Sequence, residues 1–301
     1  MFPLYLEKLS FGELQERSSQ LKEKMSQCTL CPHACLAERA KGKIGVCRST
    51  NEVFISSYGP HYGEEPPLVG AFGSGTIFFT GCNLHCVFCQ NYDISQLRHG
   101  VKCSIGELAE IMLKLQSRGC HNINLVTPTH FISQIVEALI IAVEKGLEIP
   151  IVYNCGGYES VDTIKLLDGL IDIYMPDIKY SDDENAKKYS AAIGYWDAVT
   201  KAVKEMHRQV GDLHISKRGI AQRGLIVRHL VLPDNIAGSK KIIDFVSGEI
   251  SPNTYLNIMD QYHPSFKAYK YPALSRRISN DEYESVVRYA KKVIIRNAIY
   301  D

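Results

Sequence analysis

The sequence lacks an excess of charge of either sign, a long hydrophobic run and an N-terminal export signal. Its 301 residues carry 34 Lys and Arg against 33 Asp and Glu, so the basic footprint of a general nucleic-acid-binding protein is missing. The longest apolar candidate, 138–143, is far shorter than the ~18 residues that a membrane span needs. The first eight residues contain no basic region followed by an apolar stretch, so we expect no secretory signal. These absences predict a cytoplasmic protein that binds neither membrane nor nucleic acid.

Cysteine is scarce by the standard of disulfide scaffolds, with ten residues in 301, and a reducing cytoplasm disfavours disulfides. Seven of the ten nevertheless fall into two tight groups, Cys28-x2-Cys31-x3-Cys35-x11-Cys47 and Cys82-x3-Cys86-x2-Cys89. Clustered thiols in such a compartment indicate a bound metal, because thiolates select soft ions and iron–sulfur clusters. The three scattered cysteines are predicted to be small core hydrophobes: Cys103, Cys120 and Cys155.

Six apolar, β-branched runs predict buried strands, at 76–80, 122–127, 149–153, 171–175, 225–232 and 255–259. Helical patterns lie before and between them, at 11–25, 131–143, 160–167, 196–210 and 239–246. Two capping boxes, Ser104 with Glu107 and Ser279 with Glu282, predict two further helices, and the second of these runs through Ile294. The alternation of strands and helices predicts a parallel sheet covered by helices.

Six strand–helix units are fewer than the eight of a closed barrel, so we expect an open partial barrel or a doubly wound sheet. In both architectures the chemistry collects at the carboxyl ends of the strands. Apart from the helix at 11–25, residues 1 to about 60 are predicted to be irregular, and the Gly/Pro-rich stretch 59–67 is predicted to be an ordered connector. We therefore divide the chain into a Cys-rich extension, 1–70, and a core domain, 71–301.

The second cysteine group follows directly on the first predicted strand. Three thiolates on so short a loop can bind three irons of a four-iron cluster and leave the fourth iron without a protein ligand. An open position distinguishes a cluster that binds a substrate from one that only transfers electrons, as it distinguishes catalytic from structural zinc. The alternative is a zinc knuckle or an accidental cluster of core cysteines.

The motif C-x3-C-x2-C after the first strand resembles that of the radical S-adenosylmethionine (SAM) enzymes. The sequence segments around this motif resemble those of the PflX-type relatives of pyruvate formate-lyase activating enzyme. The resemblance covers roughly residues 28–295. The words that carry it are GSGTIFF at 73–79, CQNY at 89–92, NINLVTPTH at 122–130, DIYMPDIK at 172–179 and RHLVLP at 228–233.

This resemblance implies a partial (β/α)6 TIM-like barrel with the irregular Cys-rich extension before it. It also implies that a [4Fe-4S] cluster on Cys82, Cys86 and Cys89 binds SAM and cleaves it reductively to methionine and a 5′-deoxyadenosyl radical, which removes a hydrogen atom from the substrate. The implied partners are a glycyl-radical protein, or another protein or peptide, and a reductant such as flavodoxin or ferredoxin.

The resemblance also implies roles for residues that follow the strands. Asn154, the pair Asp177 and Lys179, and His263 match positions that lie near SAM in activating enzymes. A Gly-Gly-Glu motif that binds the SAM amino group in many radical SAM enzymes is missing after the second strand. Thr127 and Thr129 offer oxygens there instead, and the alternative is a plain loop with a helix N-cap. The alternatives are a tight turn at 154–157, exposed charges at 177–179 and a structural histidine at 263.

Two further features complete the prediction. Arg228 and His229 interrupt an apolar strand, so one of them is expected to face inward with a partner, and His85 is interpreted as a support of the cysteine loop rather than a ligand. The first cysteine group would complete a closed four-thiolate site, which suits zinc or an auxiliary iron–sulfur cluster. Such a site would act as an electron relay or a structural staple.

Three functions follow from these features. The first is activation of a glycyl-radical protein, and the second is the same chemistry on a small molecule or peptide. The third is a non-catalytic iron–sulfur or zinc protein that carries electrons.

Overall fold

A computed structural model of the chain describes residues 3–7 and 9–293 and the backbone of 297–300. Met1, Phe2 and Lys8 of the N-terminal segment lie outside the described residues, as does Ile294 of the last predicted helix.

The described residues contain ten β-strands in one sheet with the order β10-β9-β8-β6-β5-β4-β2-β1-β3, and β7 pairs separately with β8. The strands from β2 to β10 along this order are parallel, whereas β1 pairs antiparallel with β2 and β3. The strands are β1 Val53–His61, β2 Ser74–Phe79, β3 Val101–Cys103, β4 Ile123–Val126, β5 Ile151–Cys155, β6 Ile173–Pro176, β7 His214–Ile215, β8 Ala221–Leu230, β9 Tyr255–Met259 and β10 Asn297–Tyr300.

The six predicted strands correspond to β2, β4, β5, β6, β8 and β9, and all six are parallel neighbours. The α/β class and the open partial barrel predicted from the sequence are therefore confirmed. Predicted and observed strand ends differ by up to four residues.

Eleven α-helices lie in the described part of the chain, and none of them has the length and apolar content of a membrane span. Both predicted capping boxes are present: Ser104 and Glu107 exchange hydrogen bonds, and so do Ser279 and Glu282. The helices are α1 Leu4–Glu7, α2 Phe11–Glu23, α3 Pro66–Val69, α4 Tyr92–Ser95, α5 Ile105–Ser117, α6 Ile132–Glu144, α7 Val161–Leu166, α8 Asp183–Ser190, α9 Tyr195–Val210, α10 Ser239–Phe245 and α11 Asn280–Val293.

The two faces of the sheet bury two separate apolar clusters, because successive strand residues point to opposite faces. The larger cluster packs the sheet against its helices and includes Tyr153 and Tyr174. The smaller cluster lies on the inner face and includes Val152, Met175 and Ile226. Residues 154, 177 and 228 each lie two positions after one of these three residues, so the same alternation predicts that they also face inward. The register of the sheet thus positions the polar groups of the site.

The N-terminal extension is more regular than predicted. Residues 53–61 form β1 rather than irregular chain, so the first three residues of the predicted connector at 59–67 belong to a strand, and Pro66 begins α3. Pro60 is compatible with this strand because β3 pairs only with residues 53–55, so β1 has no strand partner on that side at Pro60. The sheet therefore continues from the core into the extension.

Candidate metal and cofactor site

A cavity of about 360 Å³ opens at the carboxyl ends of the parallel strands. Its lining combines the three thiols of the second cysteine group with four of the five predicted cofactor residues: Cys82, Cys86, Cys89, Thr127, Asn154, Asp177 and Lys179. These residues come from four different strand ends or loops, and the parallel sheet brings them to one place. The cavity volume falls within the range of small-molecule sites.

Each thiol of the loop 82–89 has a hydrogen-bonding neighbour. The Leu84 amide donates to Cys82 Sγ at 3.3 Å, the Ser190 hydroxyl donates to Cys86 Sγ at 3.0 Å, and Ser95 Oγ lies 3.1 Å from Cys89 Sγ. Such donors stabilise thiolate sulfur and tune a cluster that it binds. The three donors come from the loop itself, from the last residue of α8 and from the last residue of α4.

The same loop is fixed by backbone contacts with α8. The His85 and Val87 amides donate to the Ser190 and Tyr189 carbonyls at 2.9 and 2.8 Å. Although α8 was not predicted, it holds the loop in place and supplies the Ser190 hydroxyl. His85 itself contacts the Val46 carbonyl and the Gln96 side chain, as expected of a supporting residue.

Burial raises the pKa of the Cys82 thiol, and it raises that of Cys86 to about 11 although Lys179 opposes the rise. These thiols therefore stay protonated near neutral pH until a cation replaces their protons, which is what thiophilic iron does. The donor set is chemically suited to a [4Fe-4S] cluster: three soft sulfurs line an open cavity and have no disulfide partner.

A buried ion-pair network crosses the cavity beside the thiols. Asp177 accepts from Lys179 Nζ at 2.6 Å and from Arg228 Nε at 2.7 Å, and Arg228 Nη2 donates to Asn154 Oδ1 at 2.7 Å. Burial acts to raise the pKa of Asp177, but attraction to Arg228 and Lys179 outweighs it and keeps this pKa below its usual value. The carboxylate is therefore charged at neutral pH, and the predicted pair 177–179 is not a pair of exposed charges.

Arg228 is the inward-facing residue that the sequence predicts, since it lines the cavity. His229 points to the other face, where it is fully buried and contacts the Ile178 carbonyl at 2.7 Å and Ser239 Oγ at 2.9 Å. Burial lowers the pKa of His229 to about 4, so it is neutral and structural.

Sequence reasoning missed Glu64, which also lines the cavity and lies 3.7 Å from Arg228 Nη1. Burial raises the pKa of Glu64 while Arg228 opposes the rise. The only signal for it was two acidic residues, 64 and 65, before Pro66-Pro67 in an otherwise uncharged connector.

Thr127 and Thr129 have different environments. Thr127 has a left-handed φ of 59° and lines the cavity. Thr129 is fully buried and donates to Glu159 Oε1 at 2.7 Å. The oxygen of Thr129 is thus already bonded within the protein.

His263, the fifth predicted cofactor residue, is not among the lining residues. Its Nδ1 lies 3.2 Å from Gln90 Nε2, and Gln90 does line the cavity. His263 therefore lies at the rim of the cavity and is separated from the cavity by the Gln90 side chain.

The first cysteine group forms a compact knot at 28–47. Cys28 and Cys47 are buried, whereas Cys31 and Cys35 are partly accessible. The Cys35 and Cys47 sulfurs lie 3.4 and 3.5 Å from the point where a Cβ on Gly45 would stand, so both sulfurs border the space beside this glycine.

The three scattered cysteines, Cys103, Cys120 and Cys155, are buried in the apolar core as predicted. Among the described residues, no group of three or more Cys, His, Asp or Glu side chains is spaced to share a single metal ion. A four-iron cluster makes a different demand, since each thiolate binds its own iron.

Comparison with known families gives the superfamily of the chain. The model of the radical SAM superfamily matches residues 76–219, which include the loop 82–89 and the network at 177–179. The chain belongs to the radical SAM superfamily, as predicted from the sequence. Members of this superfamily are generally enzymes of the oxidoreductase type, and membership implies a [4Fe-4S] cluster and SAM.

Two relatives come from Methanocaldococcus jannaschii. The uncharacterized protein MJ0674 is 34% identical over 290 residues, which cover 93% of this chain and 78% of that protein. The uncharacterized protein MJ0808 is 25% identical over 268 residues, which cover 82% of this chain and 74% of that protein.

Two solved structures resemble the chain at low identity, and the first of them shows the same fold. Streptococcus suis SuiB bound to its precursor peptide SuiA superposes with a TM-score of 0.50 at 13% identity, over 73% of this chain and 46% of SuiB. Native anSMEcpe with bound AdoMet gives a TM-score of 0.46 at 11% identity, over 76% of this chain and 59% of anSMEcpe. The chain thus spans about half the length of these structural relatives, and the likeness concerns the fold alone.

Proposed function

We propose that the protein is a cytoplasmic radical SAM enzyme that takes a hydrogen atom from a glycyl residue of a partner protein, in the manner of pyruvate formate-lyase activating enzyme. The observation that carries the proposal is that three thiols and a buried network of Asp177, Lys179 and Arg228 line one cavity. An electron carrier has no need for a charged cavity beside its thiols.

Cys82, Cys86 and Cys89 would hold a [4Fe-4S] cluster at one end of the cavity. Such a cluster, when bound and reduced, would supply the electron for reductive cleavage of SAM to methionine and a 5′-deoxyadenosyl radical. Asn154 Oδ1 and the Asp177 carboxylate offer acceptors to the amino group or the ribose of SAM, and Lys179 offers a cation to its carboxylate. Phe78, Leu230 and Met259 also line the cavity and would keep water from the radical.

We infer the glycyl-radical partner from the sequence segments that resemble the PflX-type relatives, which include those at 172–179 and 228–233. SuiB binds a precursor peptide, but the 13% identity to SuiB makes this a likeness of fold and not of substrate. A peptide or a small molecule is therefore the second candidate substrate class.

Anaerobic reconstitution tests the chemistry. Protein loaded with iron and sulfide and reduced with dithionite, flavodoxin or ferredoxin should convert SAM to 5′-deoxyadenosine and methionine in equal amounts. A matched sample of the Cys86→Ala variant should form neither product. Absence of 5′-deoxyadenosine from the loaded wild type would favour the electron-carrier function.

The substrate is tested separately. A glycyl-radical protein encoded beside this chain should give a glycyl-radical electron paramagnetic resonance (EPR) signal after incubation with the enzyme. Deuterium on its glycine α-carbon should appear in 5′-deoxyadenosine. Formation of 5′-deoxyadenosine without deuterium would exclude this partner and leave the small-molecule and peptide substrates.

A further inference from the structure

Arg39 is the largest fully buried side chain of the described residues, and it lies within the knot of the first cysteine group. Its Nε donates to the Ser49 carbonyl at 3.2 Å, and its Nη2 donates to the Thr50 and His130 carbonyls at 2.7 and 2.5 Å. Its Nη1 points to Cys28 Sγ at 3.7 Å. The guanidinium is thus surrounded by carbonyl oxygens and one thiol.

No carboxylate of the described residues lies within 4.0 Å of this guanidinium. A buried cation without an anion is costly, and buried charges in proteins are normally paired. Carbonyl dipoles satisfy the hydrogen bonds of Arg39 but bring no negative charge. We therefore expect that the charge of Arg39 is compensated by a buried anion other than an acidic side chain.

The four thiols can provide that anion. Besides Cys28 at Nη1, the sulfurs of Cys35 and Cys47 border the space beside Gly45, and Arg39 Cδ lies 3.3 Å from the same point. Four thiolates around an oxidised four-iron cluster leave a net charge of about −2. Such a centre would compensate the guanidinium and accept its Nη1 hydrogen bond on sulfur.

The knot is joined to the loop 82–89 by two reciprocal contacts. His33, between Cys31 and Cys35, donates to the Asn83 carbonyl at 2.7 Å, and His85, next to Cys86, contacts the Val46 carbonyl next to Cys47 at 3.1 Å. Each contact thus links a residue beside a thiol of one group to a residue beside a thiol of the other. Any metal that fixes the knot also fixes the loop.

We propose that Cys28, Cys31, Cys35 and Cys47 hold a closed metal–thiolate centre of net negative charge, that Arg39 is its buried counter-cation, and that the filled centre positions the loop 82–89. The first two parts stand without the proposed function, whereas the third rests on it. The centre takes an iron–sulfur cluster, because no three of these side chains are spaced to share a single metal ion.

The first test removes the radical site and counts the metal that remains. The triple variant Cys82→Ala, Cys86→Ala, Cys89→Ala, purified without oxygen, should retain about four irons with sulfide per chain. Addition of Cys35→Ala should remove that metal, whereas Cys120→Ala, a buried cysteine outside both groups, should not. Equal metal in the triple and the quadruple variant would overturn the proposal, even if the wild type cleaves SAM.

The second test concerns Arg39 in the same triple-variant background. Arg39→Met should weaken metal retention against a chelator by roughly 10-fold or more, as is usual when a neighbour of a metal ligand is lost. Arg39→Lys keeps the charge and should retain metal within about threefold of the parent. Arg48→Gln, which removes an exposed cation from the same segment, is the control. Unchanged retention in a folded Arg39→Met variant would overturn the role of Arg39.

A measurement on the unmodified Arg39 keeps the proposal testable if Arg39→Met does not fold. Chelation of the triple variant should leave the guanidinium without its anion and lower the melting temperature, and metal should restore it. An unchanged melting temperature would contradict the counter-charge argument.

Discussion

The two cysteine groups differ in what faces their sulfurs. The loop 82–89 faces an open cavity lined by charged side chains, whereas three thiols of the knot 28–47 lie beside a buried guanidinium or a glycine. An open site admits an exogenous ligand and a closed one retains what it holds. The two groups of thiols therefore differ in how accessible they leave a bound metal to a further ligand.

The largest expected effect separates the two groups directly. Cys86→Ala should lower 5′-deoxyadenosine formation by more than roughly 100-fold, because loss of a ligand exceeds the effect of losing a neighbour of one. Cys35→Ala should lower it only by roughly 3- to 10-fold, through loosening of the loop. Product assays on anaerobically loaded protein measure both. Equal losses in the two variants would show that the closed centre is as essential as the open one.

The second effect concerns the charges of the cavity. Asp177→Asn leaves Lys179 without its buried carboxylate and leaves Arg228 with only the more distant Glu64 and Glu65, at 3.7 and 3.9 Å. We therefore expect the free energy of unfolding to fall by about 3 kcal/mol and SAM binding to weaken by roughly 10-fold. Urea unfolding and equilibrium dialysis measure the two quantities.

The control is an ion pair of the same types on the surface. Asp197 pairs with Lys201 at 2.8 Å, and both side chains are largely exposed. Asp197→Asn should change stability by less than about 0.5 kcal/mol. A similar loss in both variants would mean that the cavity network is no more desolvated than the surface.

The third effect lies where the two groups meet. Tyr158 contacts the ring of His33 in the knot and accepts from Asn83 of the loop, and the next residue, Glu159, is buried. Burial raises the pKa of Glu159 to about 7. The folded state therefore binds a proton that the unfolded state has lost, so stability falls as pH rises from about 4.5 through about 7.

Between pH 5.5 and 8 this group should lower the free energy of unfolding by about 2 kcal/mol. Glu159→Gln, which cannot ionise, should reduce the pH dependence by that amount. Denaturant unfolding of both proteins at the two pH values gives the comparison. A parallel pH dependence in the variant would contradict the raised pKa.

The smallest effect concerns the packing of one group on the other. Gly81 has a φ of 81°, and a Cβ there would lie 2.9 Å from Ser49 Oγ and 3.1 Å from the Cys47 carbonyl. Gly81→Ala should destabilise the protein by about 1–2 kcal/mol and speed chelator removal of iron from the loop. Gly106→Ala, in α5 with no atom within 4 Å, is the control and should not destabilise. A harmless Gly81→Ala would show that the groups are not tightly apposed.

The sequence predicted the parts of the fold that depend on apolar runs. The runs at 76–80 and 255–259 are strands because their side chains are buried on a parallel sheet. Strand β1 was missed because Gly59-Pro60 predicts a break, although one side of β1 has no strand partner there and tolerates the missing amide of Pro60. Helix α8 was missed because its sequence is mostly polar, with Ala186, Tyr189 and Ser190 as its buried residues.

Site residues were predictable where a spacing or a strand end pointed to them. The three thiols and the pair 177–179 met this condition, and the cavity brings them together. Glu64 and the buried Arg39 did not, since an acidic residue in a connector and an arginine in a loop look like ordinary surface residues. Only the packing of distant segments gives these two charges their environment.

The edge strand β3 limits how copies of the chain can meet. It has three residues, Val101–Cys103, and pairs with β1 on its inner side. Lys102 in its centre contacts Glu52, which places charge along the free rim. A short, charged rim offers few unpaired amides to another molecule. We expect concentrated protein to resist strand-to-strand aggregation at this end of the sheet.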